Sequence, residues 1–319
     1  MPFLTLFTAP KPFVDPHISL IQKNTLKNWL KLGDEVEVVV IGNEPGIPEA
    51  CAELGVRQLP DVQTSPQGTP LISSIFSLAR DVNHSPFLVY ANADILFLPE
   101  LLDLIRLIAE QQPHFLGVGQ RYDLDVTDPI DFEGDWAVKL KQRALTKGEL
   151  HGQTGSDYFI FPRACFQEIP DFMVGRAGWD NWMIFKARWE HWRVVDMTPA
   201  MTIIHQDHDY AHLPGGIKHY HQPETWVNVR LAGGRRTIFR LTDATHILRD
   251  GNLEKIPLTW ERFWREIEIF PLVGLHSKLL GWLSFAIFHP IKAFMEIRGW
   301  LIYKVNSYKR SDHTEDRNK

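Results

Sequence analysis

Apolar residues along this chain fall into short runs whose internal spacing switches between the strand and helix periods. Phe3, Leu4, Leu6 and Phe7 form a strand-like run that stops at Thr8-Ala9-Pro10-Lys11-Pro12, where proline ends a ladder. Ile18, Ile21, Leu26, Trp29 and Leu30 recur at helical spacing, and Gly33 is placed to close that helix. Val36, Val38, Val39, Val40 and Ile41 are β-branched and nearly continuous, as expected of a strand covered on both faces. It ends at the turn Gly42-Asn43-Glu44-Pro45-Gly46. A short helix over 48–54 and a strand over 56–59 follow, then a polar loop over 61–70. Leu71, Ile72, Ile75, Phe76, Leu78 and Ala79 make the next helix, with Arg80 at its end. Phe87 to Tyr90 is a buried strand running into Asn92-Ala93-Asp94, after which Ile95 to Leu98 are apolar again. Pro99 takes a favoured first-turn position in a helix carrying Leu101, Leu102, Ile105 and Ile108. Phe115 to Gly119 is one more strand.

Strands and helices thus alternate through residue 119 with short connectors. That is the pattern of an α/β fold, a Rossmann-like mostly parallel twisted sheet flanked by helices. Ligands in such sheets bind at the carboxyl ends of strands. The loops at Thr8–Pro12, Gly42–Gly46 and Asn92–Asp94 occupy those ends, so a site is expected there.

The rhythm breaks over 120–155, where Asp123, Asp125, Asp128, Asp131, Glu133 and Asp135 give an acidic, loop-like stretch. It reads as a solvated insertion, or alternatively as a lid or acceptor loop. A strand at Tyr158–Phe161, a Gly-rich turn at 175–178 and a helix over Trp179–Trp189 come next. Strands are expected at 192–195 and 201–204, the second running into His205-Gln-Asp-His-Asp-Tyr210. Leu272–Phe288 and Ile291–Val305 read as helices apolar almost all round, with Trp282 and Trp300 and flanking Lys278, Lys304, Lys309 and Arg310. Two readings stand open for them. One is a helical hairpin packed on the core; the other is an interfacial membrane anchor. The expected division is a catalytic domain over 1–250, a C-terminal helical region over 251–306 that is a candidate for membrane association, and a polar, disordered tail over 307–319.

Composition narrows the function classes. A chain of 319 residues with 44% hydrophobic and 23% charged residues can bury a sizeable core. Its formal net charge of -5 argues against a nucleic-acid footprint, which needs a basic face. Two cysteines, Cys51 and Cys165, form neither a disulfide framework nor a zinc-site spacing, which fits a reducing compartment. The N-terminal run reads as a first strand rather than a signal peptide, and no segment has the roughly 18 uninterrupted apolar residues of a simple span. The expected location is therefore cytoplasmic, with peripheral contact to the inner face of a membrane as an open question.

Asp94 carries the chemistry. A carboxylate inside an apolar run is costly to bury without a proton, an ion pair or a metal; the plain alternative is an Asx turn capping the strand. The order of helix Thr69–Arg80, strand and small acidic motif resembles the GT-A fold nucleotide-sugar-dependent glycosyltransferases. In that family an Asp-x-Asp motif ends the strand and its last carboxylate binds a divalent metal. The resemblance makes Asp94 a metal ligand and Asn92, which replaces the first acid, an uncharged acceptor for a ribose hydroxyl or a metal-bound water.

Further motifs extend the resemblance over residues 1–230. Gly175-Arg-Ala-Gly-Trp-Asp-Asn-Trp182 is similar to the Gly/Trp-rich segment of β-1,4-galactosyltransferase-like enzymes. That implies Asp180 as general base toward an acceptor hydroxyl, Trp179 as a flat apolar face for a sugar ring, and Asn181 beside the acceptor. Structurally, Asp180 also fits a helix N-cap. His205 matches the later metal ligand, with His208 or Asp207 as alternates, and the Asp/His set suits Mn²⁺ and, less well, Mg²⁺. His212, His219 and His221 crowd the same stretch. Gly215, Gly216 and Lys218 suggest a loop closing over the diphosphate. Gly155-Ser156-Asp157 falls where donor-sugar hydroxyls bind, or is a turn that starts a strand. Thr8, Ala9, Asn43 and Glu44 sit where such folds contact base and ribose, and Arg80 either reaches the diphosphate or pairs with a surface acid.

The implied activity is transfer of a sugar from a UDP- or GDP-linked donor to a saccharide or lipid-linked hydroxyl acceptor, with inversion by one direct displacement. Two other classes are carried alongside: a nucleotidyltransferase on the same fold, whose Gly-rich loop after the first strand is missing here, and a non-catalytic membrane-associated binding protein.

Overall fold

The computed structural model describes residues 1–208 and 222–299. In chain order the first elements are β1 (Leu4–Thr8), α1 (Pro16–Leu30), β2 (Val36–Ile41), α2 (Ile47–Leu54), β3 (Arg57–Leu59), α3 (Ile72–Asp81), β4 (Phe87–Ala91), β5 (Ile95–Leu96), α4 (Leu101–Gln111) and β6 (Phe115–Val118). Then come β7 (Tyr122–Leu124), α5 (Trp136–Lys147), β8 (Glu149–Leu150), β9 (Tyr158–Pro162), α6 (Trp179–Trp189), β10 (Arg193–Asp196) and β11 (Ile204–Gln206). Beyond residue 222 lie α7 (Pro223–Ala232), β12 (His246–Arg249), β13 (Asn252–Lys255), α8 (Trp260–Val273) and α9 (Lys278–Phe288). Residues 1–232 with 239–256 form one compact unit; 233–238 with the chain from 257 onward form another.

A nine-stranded sheet runs through the first unit in the order β13-β12-β10-β6-β9-β4-β1-β2-β3. It is mostly parallel, with β9 reversed between β4 and β6 and β13 reversed at the edge. The mostly parallel α/β sheet read from the alternating pattern is what the structure shows. All five residues of β1 and of β4 are buried, because helices cover both of their faces and leave no polar side. Each fully buried Leu, Val or Phe of this layer contributes about 1.5–3 kcal/mol. Since β2, β1 and β4 are neighbours and parallel, the loops after Thr8, Ile41 and Ala91 emerge side by side.

A second sheet of four strands, β5-β11-β7-β8, lies beyond β4. It overturns the loop-like expectation for 120–155: this segment supplies β7, β8 and the twelve-residue helix α5. Leu124, Phe132, Trp136, Leu140 and Ala144 form a satellite core with Leu96, Leu98 and Ile204. The acids between those apolar positions stay toward solvent or toward the site, which is why composition alone suggested a loop. The strand expected at 201–204 is likewise shifted, to Ile204–Gln206, where β5 and β7 supply partners on both sides.

Helix boundaries move for local reasons. Pro99 lies just outside α4, whose N-cap is Glu100. The single helix expected over Leu272–Phe288 is divided, with α8 ending at Val273 and α9 beginning at Lys278 after the capping hydroxyl of Ser277. The chain turns at Asp250 and Gly251, both at positive φ (49° and 76°), which builds the β12–β13 hairpin. Among the described residues no helix is long and apolar enough to cross a membrane.

Helix α1 does the most to position the site. Asp15 caps it through the amides of His17 and Ile18, and Pro16 begins it. Its inward face is polar as well as apolar, with Gln22, Asn24, Thr25 and Asn28 all buried. Gln22 donates to the Lys11 carbonyl (2.9 Å) and accepts from the Lys11 amide (2.7 Å). Asn28 makes the same two-way clamp on Phe97, at 2.9 and 2.8 Å, and the Trp29 indole donates to the Ile95 carbonyl at 2.9 Å. Gln206 donates to the Ile21 carbonyl and the Thr25 hydroxyl.

Candidate metal and donor site

Asp94 sits in the turn between β4 and β5, buried at 8% exposure. The Gln206 amide donates to the Asp94 carbonyl at 3.0 Å, tying this turn to β11. The carboxylate Oδ2 lies 3.2 Å from His208 Nε2 and 3.8 Å from His205 Nε2. One atom from each of Asp94, His205 and His208 falls within a 4.8 Å group. The three residues named as metal ligands are therefore brought together, although more than a hundred positions separate Asp94 from the histidines.

Whether these residues fit a cation can be judged from three features. Asp94 Oδ1 is buried with no hydrogen-bond partner among the described residues, a costly state for a carboxylate oxygen unless a ligand completes it. Two imidazole nitrogens and a carboxylate oxygen are a donor set that Mn²⁺ or another first-row dication accepts. Behind the ligands, His205 Nδ1 lies 3.0 Å from Asp123 Oδ1, close enough for an ion pair although out of line for a hydrogen bond, a carboxylate placed as those that support metal-bound imidazoles are. The residues fit.

Asp123 was expected only as one acid of a solvated stretch. It is the hub of a polar network instead: His151 Nδ1 lies 2.7 Å from its Oδ2, and Arg121 Nε donates to Oδ1 at 3.0 Å. Arg121 also bridges to Asp157 through Nη1. Lys11, which nothing in the sequence paired, places Nζ 3.1 Å from His208 Nε2. A signal for Asp123 was present, since Tyr122, Leu124 and Val126 alternate with Asp123 and Asp125 in the strand period.

Burial alone would push the Asp94 carboxyl up, but His205, the hydrogen bond from His208 and Lys11 outweigh it and hold the group well below the usual range. Asp123 is likewise held low, burial being overcome by His205, His151 and Arg121. For His205, desolvation lowers the imidazolium's stability, yet Asp94 and Asp123 more than compensate and the net shift is upward. Burial pushes Lys11 down, against the pull of Asp94.

Asn92 donates through Nδ2 to Asp157 Oδ1 at 2.9 Å, and its backbone amide donates to the Asp157 carbonyl at 2.9 Å. The Tyr90 hydroxyl donates to Asn92 Oδ1 at 3.3 Å. An acid at 92 would set two carboxylates against each other, which gives a physical reason for the amide. Because β9 runs antiparallel to β4, the residue entering β9, Asp157, stands beside the residues leaving β4.

Gly178, at φ 109°, is the N-cap of α6, so Asp180 is not the cap but a first-turn acid whose Oδ1 accepts from the Gly178 amide at 3.2 Å. Burial pushes its carboxyl above the ordinary range, Asp157 adding to the effect against backbone hydrogen bonds from Asn181 and Gly178. Trp179 is only 6% exposed, its ring edge-on to Tyr90 (5.1 Å) and tilted on Phe159 (5.2 Å). Its face is occupied by core packing and offers no open platform for a sugar.

Two other expected site residues are engaged within the chain. Asn181 donates to the Phe239 carbonyl at 2.7 Å, fixing the 239–243 segment. The Arg80 guanidinium donates to the carbonyls of Arg163, Cys165 and Phe166. Thr8 Oγ1 is buried without a partner among the described residues, at the end of β1 beside β4. Ala9 and Glu44 are half-buried and Asn43 exposed on the same edge, where Asn43 Oδ1 accepts weakly from Gln58 at 3.4 Å. Gly155, at φ 87°, is exposed and Ser156 half-buried ahead of Asp157. Lys218, Gly215, Gly216, His212, His219 and His221 lie outside the described residues.

No protein-family model and no curated protein matches the chain. Solved structures resemble it at 13–15% identity. One is the mannosyltransferase PcManGT of Pyrobaculum calidifontis in complex with GDP-Man and Mn²⁺, with 15% identity and a TM-score of 0.41 over 66% of this chain and 58% of that one. Another is S. aureus TarS 1–349 in complex with UDP-GlcNAc, with 13% identity and a TM-score of 0.45 over 73% and 65%. The chain spans between 58% and 65% of the length of these two proteins.

Proposed function

We propose that this chain is a metal-dependent glycosyltransferase that moves a sugar from a UDP- or GDP-linked donor to a hydroxyl acceptor. The observation that carries the reading is the convergence of Asp94, His205 and His208 within 4.8 Å, beside an orphaned Asp94 Oδ1, at the carboxyl edge of a parallel sheet where donors bind. Mn²⁺ or Mg²⁺ held by these three side chains would neutralise charge on the departing nucleoside diphosphate.

The chain's own residues supply the rest. Asp123 fixes the ring of His205, and Arg121 spans Asp123 and Asp157. Lys11 brings a second positive charge to the diphosphate side. Asp157, locked by Asn92, accepts hydroxyls of the donor sugar. Asp180 takes the proton of the attacking acceptor hydroxyl; its raised pKa brings it nearer the range where a base works efficiently. One displacement then inverts the anomeric centre.

The test is release of UDP or GDP from a panel of nucleotide sugars with Mn²⁺, alongside calorimetric binding of each nucleotide. Asp94→Ala should lose metal-dependent nucleotide binding. Asp180→Asn should keep it while turnover falls by about 10²–10⁴-fold. Wild-type turnover in both variants would remove the assignment.

A further inference from the structure

Fifteen of the 23 exposed large apolar side chains among the described residues lie in one stretch, 257–299. Scattered exposed apolar residues need no explanation, but contiguous ones mark an interaction surface. In α9, Gly281 and Phe285 face inward and are buried, with Leu272 of α8 against Gly281. The opposite side presents Leu279, Leu280, Leu283 and Ile287, exposed by 44–78%. These four fall on one quadrant of the helix at i, i+1, i+4 and i+8. After a break at His289, the helical stretch 290–299 exposes Ile291 and Phe294 as well, by 75% and 66%. Helix α9 is thus apolar on both faces, and packing accounts for only one.

Charge says what covers the other. From 274 to 299 the described residues hold three cations, Lys278, Lys292 and Arg298, against one acid, Glu296, in a chain whose net charge is -5. That acid is engaged inward, accepting from the Arg235 amide at 3.0 Å and lying 4.0 Å from Arg236. Lys278, Lys292 and Arg298 are all exposed. A second copy of this face would set cations against cations across a two-fold axis. An apolar row flanked by uncompensated cations suits acyl chains beneath anionic headgroups instead. Helix α8 adds Trp260 and Trp264, 71% and 43% exposed, aromatic residues of the kind that settle at headgroup depth. No described helix is long and apolar enough to cross, so the geometry is one of lying in the surface.

We propose that the outer face of α9 and residues 290–299 docks on an anionic lipid surface. The test uses the full chain and flotation on sucrose with vesicles of phosphatidylcholine alone or with 30% phosphatidylglycerol. Wild type should float with the anionic vesicles, be lost in high salt, and largely stay behind with the neutral ones. Each cation brought to such a surface is worth about fivefold in partitioning, so Lys278→Glu/Lys292→Glu should reduce it by about 25-fold or more. Leu283→Glu/Ile287→Glu should abolish flotation while the thermal midpoint and circular dichroism stay those of wild type, since both side chains point outward. The lipid and salt comparisons need no variant and stand even if one misfolds. Equal flotation with and without phosphatidylglycerol, or no flotation, overturns the proposal. So does a concentration-dependent dimer that Leu283→Glu/Ile287→Glu dissolves, because a second copy would then be the occupant.

Discussion

Replacing Asn28 with alanine should destabilise the first unit by about 2–6 kcal/mol. Asn28 is fully buried, and its amide closes a two-way clamp on Phe97, donating to the carbonyl at 2.9 Å and accepting from the amide at 2.8 Å. Alanine leaves that N–H and C=O buried without partners, and each orphaned group costs about 1–3 kcal/mol. Against a total stability of about 5–15 kcal/mol, this is a large fraction for a residue that touches no substrate. The assay is urea unfolding followed by tryptophan fluorescence, read as a shift in midpoint at unchanged slope. Asn28→Asp sharpens it. Its carboxylate still accepts from the Phe97 amide but sets a second oxygen against the Phe97 carbonyl, so it should be at least as damaging at pH 7 and partly recover as acid protonates it. A loss below about 1 kcal/mol for Asn28→Ala, less than a single orphaned group should cost, would refute the claim that α1 holds the β5 segment by this clamp.

Asp123→Asn removes the carboxylate that orients His205, and should weaken Mn²⁺ binding, read by electron paramagnetic resonance, by about 10–100-fold; unchanged binding would show that His205 is held by other means. Arg80→Met strips the hydrogen bonds to the carbonyls of Arg163, Cys165 and Phe166 and should cost about 2–4 kcal/mol while nucleotide affinity by calorimetry is unaffected. Arg80→Lys should not restore stability, because an ammonium cannot reproduce the fork. Asp180 has a raised carboxyl, so its ionised form is disfavoured by folding and stability is gained as pH falls through the native pKa. Asp180→Asn should therefore melt higher than wild type at pH 7, with the gap closing in acid, even as it loses transfer activity; a lower melting point at pH 7 would contradict the direction of that shift.

Strand β1 and strand β4 could be read from the chain because their burial on both faces leaves nearly continuous apolar runs. Asp94 was legible for the same reason, as a charge inside such a run. The network around it was not. Asp123 hides among five other acids in 120–135, and composition outweighed the alternation of Tyr122, Leu124 and Val126 that marks β7. Lys11 pairs with His208 and Arg121 with Asp157, residues far along the chain, which no local period encodes. The clamps of Gln22 and Asn28 were also invisible: a buried amide on a helix reads as a surface residue until the partner backbone is known. Trp179 was ambiguous because aromatic residues serve cores and sugar sites equally well, and its 6% exposure places it in the core.

The reversal of β9 has a mechanical side. It joins two parallel half-sheets, β3-β2-β1-β4 and β6-β10-β12, of which the first is bound through five registered pairs and the second through one, Gly117 with Ile160. At that joint a side chain on Gly117 would meet Met197 Sδ at 2.7 Å and Ile160 Cβ at 3.2 Å, so a larger residue there would displace the Met197 side chain. By registered pairs, β9 is therefore tied more firmly to β4 than to β6. Amide exchange should report the difference, with β6 exchanging before β9.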